Sequence, residues 1–182
     1  ISENRLKPLS EGFFDETKED NYYIRGVSDY IRNIFDTNTI NGEPWSRYAA
    51  GYMWGTTGIV YNPEEISEEE ASHWAILADP KYKGQVTVKD NVRDSYFAAL
   101  GILNEDELLD PDFINSDDRL ERIAELMNRT DEETVKKAEK ILKQMKENAY
   151  SFESDSGKSD MVTGKVLANY QWSGDAVYTL DQ

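Results

Sequence analysis

The chain has 182 residues, with 36 Asp and Glu against 20 Lys and Arg, for a formal net charge of −16. Such a surface cannot neutralise nucleic-acid phosphates and is repelled by anionic membranes, whereas its negative field concentrates cations. The absence of cysteine, with His73 the single histidine, removes disulfides and thiol chemistry and argues against a Ser-His-Asp triad or a multi-histidine zinc site. Aromatic residues make up 12% of the chain, enough for a globular core rather than a disordered chain. The length admits one sizeable core, or a core plus an appendage.

Residues 1–50 are turn-rich and polar, with scattered aromatics (Phe13, Phe14, Tyr22, Tyr23, Tyr30 and Phe35). Asp29 to Phe35 predicts a short helix with Tyr30, Ile31, Ile34 and Phe35 on one side. The Asn-Thr, Asn-Gly and Pro signals between Asp36 and Trp45 read as loop. The pattern then changes. Gly58 to Tyr61 is a β-prone run ended by Asn62-Pro63. Ser67 and Glu70 form a capping box for a helix reaching about Leu77, in which His73 and Trp74 are packing residues.

Gly84 to Val88 predicts a strand, and Asp90-Asn91 begin a helix carrying Tyr96, Phe97, Leu100 and Leu103. Asn104 to Ser116 reads as an acidic connection, after which Asp117 or Asp118 caps a helix with Leu120, Ile123, Ala124 and Met127. Thr130 to Glu133 is a second capping box, followed by a stripe of Val135, Ala138, Ile141, Leu142 and Met145. Glu132 with Lys136 and Glu133 with Lys137 are favourable i,i+4 pairs on a solvated face. A strand near Tyr150–Phe152, a helix around Lys158–Thr163 and a strand over Val166–Gln171 complete the order. Strand and helix signals alternate, so the core is α/β.

In an open α/β sheet, ligands bind beyond the C-terminal ends of strands, where helices begin. Three such corners are visible: Val88 to Asp94, Phe152 to Gly157, and Gln171 to Asp175. Helix capping accounts for Asp90, Asp155 and Ser156. It accounts less well for Asp94, which falls about a turn into its helix. Trp172 beside Gly174 and Asp175 suits an organic ammonium ion, because an indole face attracts a cation and a carboxylate pairs with it. The Asp-rich stretches Asn104–Asp112 and Asn115–Asp118 lack the spaced pattern of an EF-hand. A carbohydrate-processing pair of acids has no further sign in the sequence.

Three landmarks together resemble one family. They are Tyr52-Met53-Trp54-Gly55-Thr56-Thr57-Gly58-Ile59, the stretch Trp74 … Pro80-Lys81-Tyr82-Lys83-Gly84 … Asp94, and Gln171-Trp172-Ser173-Gly174-Asp175. In order and spacing they look like the extracytoplasmic spermidine/putrescine-binding proteins of bacterial ABC importers. The resemblance implies a type II periplasmic-binding-protein-like lobe, with a mixed sheet flanked by helices. It implies the middle of a longer protein: residues 1–51 as trailing first-lobe sequence, and residues 52–182 as most of a second lobe that is truncated at its C-terminus.

It implies a polyamine ligand, a membrane permease and the remaining lobe as partners, an extracytoplasmic location, and neither cofactor nor catalysis. Carried over by position, Trp172 matches an indole on the polyamine methylenes. Asp175 and Asp94 match carboxylates that receive amines, and Ser154 matches a cleft serine. Asn91 stands where some members have Asp, so a charge is lost there. Ala49-Ala50-Gly51 departs from the proline often found before the hinge. Alternatives are another small solute, or an acidic Ca²⁺-binding or carbohydrate-processing domain. An anionic solute would want basic corners, and only Arg93 and Lys158 are near.

Overall fold

The computed structural model describes residues 26–49, 51 and 53–182. The aromatics Phe13, Phe14, Tyr22 and Tyr23, with Ala50 and Tyr52 of the hinge landmarks, lie outside the described residues. The chain forms two compact units that divide between Trp54 and Gly55.

In the first unit, helix α1 (Asp29–Thr37) is capped by Ser28, whose hydroxyl accepts from Ile31 N. The stretch expected to be loop is instead a small hairpin of β1 (Thr39–Ile40) and β2 (Glu43–Pro44). Asn41 and Gly42 make its two-residue turn at φ 54° and 82°. Both residue types tolerate that left-handed backbone, which matches the strand twist. Phe35 meets Trp45 edge-on at 6.2 Å, while Tyr30 is exposed rather than packed on the predicted side.

The second unit is built on a four-stranded sheet of order β3-β6-β4-β5. Its strands are β3 (Thr57–Tyr61), β4 (Val86–Lys89), β5 (Ser151–Glu153) and β6 (Ala168–Trp172). β4 lies parallel to β5 and β6, and β3 runs antiparallel to β6, with Thr57 opposite Trp172 and Ile59 opposite Tyr170. The last two strands sit one or two residues later than their apolar runs suggest, because ladder pairing continues through Glu153 and Trp172.

Pleating sends alternate residues to opposite faces. Val86, Val88, Ala168, Tyr170, Ile59, Tyr61 and Phe152 belong to the main apolar core. Over that face pack α3 (Val92–Leu103), α7 (Glu132–Asn148) and the 3₁₀ turn Trp74–Ala78, through Leu77, Ala98, Ala99, Ala138 and Met145. The other face is polar yet buried: Thr87, Lys89, Glu153, Asn169 and Gln171. α8 (Gly157–Val162) and α9 (Ser173–Leu180) cover it. α8 approaches so closely that a Cβ on Gly157 would lie 1.9 Å from Asn169 Nδ2.

Local chemistry explains where the helices differ from expectation. The Ser67–Glu70 capping box forms, but α2 (Glu68–Ala71) stops early. Ser72 Oγ donates back to Glu69 O, and His73 is extended, which turns Trp74 inward against Gly101. The acidic connection holds two short helices, α4 (Glu105–Leu108) and α5 (Pro111–Ile114), the latter capped by Asp110. Asp118 precedes α6 (Arg119–Met127) without a side-chain cap bond. Asp131, not Thr130, caps α7 by accepting from Thr134 N at 3.0 Å. The buried stripe of α7 is correspondingly rotated: Thr134, Ala138, Met145 and Asn148 are inside and Val135 is out. Both predicted Glu–Lys pairs on its outer face form.

Candidate functional site

The three strand-to-helix corners fall at one edge of the sheet, as parallel β4, β5 and β6 dictate. At the first, Asn91 is the N-cap of α3. Its Oδ1 accepts from Arg93 N at 2.9 Å and Asp94 N at 3.3 Å. That oxygen is consumed by the helix start, and Asn91 is otherwise exposed.

Asp94 follows in the first turn, only 9% exposed. Among the described residues, no cation pairs with it. It lies close enough to Tyr170 to act on that hydroxyl: burial first, and the Asp94 charge in addition, push the phenol above its ordinary range. The Tyr170 hydroxyl is 3.2 Å from Thr57 Oγ1. Its ring meets Trp74 edge-on at 5.1 Å, and Trp74 in turn meets Phe97 at 6.0 Å. Trp172, two residues along β6, shares the pleat face of Tyr170 and is 41% exposed. Asp94, Tyr170, Thr57 and Trp172 thus place a buried carboxylate and an aromatic surface at one end of one face.

The second corner is fixed by a buried ion pair. Lys89 Nζ is 3.0 Å from Glu153 Oε1 and donates at 3.2 Å to the carbonyl of Ser154. Glu153 Oε2 accepts from Gly157 N at 2.9 Å. Ser154 itself is exposed at the rim, its backbone held by this cluster.

At the third corner, Ser173 N donates to Thr56 O at 2.8 Å and Ser173 Oγ accepts from Thr56 N at 3.3 Å, tying the start of α9 to β3. Asp175, in the first turn of α9, is already engaged. Its Oδ1 accepts from Lys158 Nζ at 2.9 Å, with Asp155 a further 3.7 Å contact of the same amine. The Asp175 hydrogen bond is the main reason that the Lys158 amine holds its proton above the ordinary lysine range. α9 carries Asp175 on the side of Gln171, whose Oε1 accepts from Thr179 Oγ1. Trp172 and Asp175 therefore share the edge but belong to different faces of the sheet.

Two cavities flank these corners. One of about 440 Å³ is lined by Asp90, Lys146, Tyr150 and Phe152 along β5, and one of about 190 Å³ by Thr56 to Val60, Gln171, Ser173 and Ala176 beside β3. Among the described residues, no group of three or more His, Cys, Asp or Glu side chains could hold a metal ion. Nor is any described helix long and apolar enough to cross a membrane.

Tyr170 and Thr57 escape a reading that looks for charges. The even spacing of Tyr170 and Trp172 along one strand is the signal that puts them on one face. The Lys158–Asp175 pair joins two elements and has no local sequence signature.

In open α/β sheets ligands bind beyond the C-terminal edge, and it is at that edge that this sheet gathers aromatic rings and carboxylates. The chain belongs to the bacterial extracellular solute-binding protein family, which it matches over residues 6–178. That family binds solutes and is not one of enzymes. The chain is similar to the spermidine/putrescine-binding periplasmic protein of Escherichia coli, at 24% identity across 94% of this chain and 48% of the relative. A Haemophilus influenzae protein with the same description, numbered 1, is 23% identical over 71% of this chain and 30% of its own length.

Among solved structures, the spermidine/putrescine ABC transporter substrate-binding protein of Streptococcus pneumoniae superimposes with a TM-score of 0.59 at 22% identity, over 97% of this chain and 44% of that one. A Listeria monocytogenes protein described with the spermidine/putrescine ABC transporters gives 0.68 at 23%, over 98% and 45%. The expected mixed sheet flanked by helices, in a type II periplasmic-binding-protein-like fold, is the fold found. The chain spans about half the length of the curated relatives it matches, at 48% of the first.

Proposed function

We propose that this chain supplies one wall of the ligand cleft in the substrate-binding component of an ABC importer for polyamines such as putrescine or spermidine. The remaining wall comes from another lobe, and a membrane permease receives the ligand. The observation that carries the reading is Asp94. A carboxylate this buried is ordinarily paired, because desolvating an ionised group is costly. Asp94 has no cation partner among the described residues, and stands beside the buried Tyr170 at the end of the sheet where Trp172 offers aromatic surface. An ammonium carried on an apolar spacer satisfies both: the cation pairs with Asp94 and the methylenes lie on the Trp172 ring.

In this proposal Asn91 and Ser154 flank the ammonium with neutral polar groups, and Asp175 closes the rim together with Lys158. The relatives' descriptions support the ligand class, and the acidic net charge of −16 suits a cation. The test is titration calorimetry with putrescine and spermidine on the intact protein that carries this sequence. Replacing Asp94 with Asn should weaken binding at least about tenfold, the worth of one charge-assisted hydrogen bond. An unchanged affinity would remove Asp94 from the site. The 182 residues alone should bind weakly or not at all, and submicromolar binding by them would overturn the one-wall reading.

A further inference from the structure

Lys89 and Glu153 close β4 and β5, opposite each other across the parallel ladder, one residue before Asp90 and Ser154 respectively. Their side chains are 4% and 3% exposed. Taking two charges out of water is so costly that an apolar pair of the same volume is often as stable. Stability alone therefore does not account for an ion pair at this place. What charged groups supply and apolar groups do not is direction.

Here the directed bonds run between corners. Lys89 Nζ donates to Glu153 Oε1 at 3.0 Å and to the Ser154 carbonyl at 3.2 Å. Glu153 Oε2 holds Gly157 N, at the first residue of α8, at 2.9 Å. The backbone joins in: Asp90 N donates to Glu153 O at 2.9 Å, and Ser95 Oγ, one residue beyond Asp94, donates to Lys89 O. The corner that bears Asn91 and Asp94 is thus fastened to the corner that bears Ser154 by bonds converging on two residues. Both are buried on the polar face of the sheet, so they act through the chain they hold and not by touching a ligand.

We propose that Lys89 is a positioning residue: with Glu153 it fixes where Ser154 stands relative to Asn91 and Asp94, and so sets the affinity of this edge for an organic ammonium ion. This rests on the polyamine reading above. An ammonium bonded to a carboxylate and to a flanking hydroxyl tolerates little misplacement, because a hydrogen bond is spent by about 3.6 Å. An apolar pair would fill the same volume but leave the Ser154 segment without the bond that holds its carbonyl.

The experiment is calorimetric titration of the intact protein with putrescine, beside circular dichroism melts. The variants are Lys89→Met, Lys89→Met with Glu153→Leu, and each of these and the unaltered protein with Ser154→Ala, all titrated well below their own melting temperatures. The apolar pair should recover most of the melting temperature that Lys89→Met alone loses, yet bind putrescine at least about tenfold more weakly than the unaltered protein. Ser154→Ala should weaken binding in the unaltered protein and add nothing in the apolar pair, where the hydroxyl is already misplaced. Lys89→Met carries the same two binding tests should the apolar pair fail to fold. Unaltered affinity in these backgrounds, or an undiminished Ser154→Ala effect in them, would reduce Lys89 to a structural clasp and overturn the proposal. A Ser154→Ala protein that binds as tightly as the unaltered one would overturn it too. Absence of putrescine binding by the unaltered protein would instead overturn the polyamine reading, and this inference with it.

Discussion

Lys89 and Glu153 are both buried and 3.0 Å apart, and each is further bonded, Lys89 to Ser154 O and Glu153 to Gly157 N. Breaking such a pair strands a charge in a dry site. Lys89→Met should therefore cost about 3–5 kcal/mol of stability, whereas exchanging both members for apolar residues of similar volume should cost far less. Urea denaturation of the single and double variants checks this; equal losses in both would show that the pair is not what holds the corner. Gly157 makes a second prediction. An added methyl meets both Asn169 and Glu153, so Gly157→Ala should destabilise by about 1–3 kcal/mol through overpacking, read as a lowered melting temperature.

Strand β6 unites the two faces of the sheet. Tyr170 points to the apolar side and Asn169 and Gln171 to the polar side, all almost fully buried. The Tyr170 phenol is held above its usual range by burial and then by Asp94. Its pH consequence has a definite sign. Above pH of about 10 the unfolded chain releases the phenol proton while the folded one keeps it, so folding loses stability as pH rises. Tyr170→Phe should flatten that alkaline decline, measured by denaturant titrations on either side of that pH; an unaltered slope would show that Tyr170 does not contribute.

The elements themselves were largely legible in the sequence, because alternation, capping boxes and Pro-Gly punctuation are local signals. β4 and α3 fall where Gly84–Val88 and Asp90-Asn91 suggest. What was hidden is non-local. The polar face of the sheet looks, residue by residue, like solvent-facing sequence, and only the arrival of α8 and α9 buries it. The Asn41-Gly42 hairpin was readable but lay among other turn signals. Trp172, Asp94, Ser154 and Asn91 were visible as corner residues, whereas the engagement of Asp175 by Lys158 depends on how two helices meet.

At the scale of the molecule, 36 acidic against 20 basic side chains set a negative field. On the polyamine proposal, that field accelerates encounter with a cation more than it tightens the complex. The association rate of putrescine, followed by tryptophan fluorescence in stopped flow, should fall at least about tenfold as ionic strength rises from about 0.01 M to 1 M, because the screening length shrinks from about 30 Å to 3 Å. A rate indifferent to salt would confine the electrostatics to the cleft.

The antiparallel pairing of β3 with β6 puts Thr57 opposite Trp172, with the Thr56–Ser173 bonds just beyond. Mechanically this is a zipper. The chain enters β3 and leaves β6 at the same end, so a pull on those two exits loads the ladder bond by bond, not all at once. Its first tooth is Thr56–Ser173, directly at the rim where Trp172 sits. Amide hydrogen exchange should accordingly be fastest at that tooth and slow stepwise toward Tyr61 and Ala168. On the polyamine proposal, a ligand resting on Trp172 would be the slider that keeps the zipper shut, and exchange at the first tooth should slow when it binds.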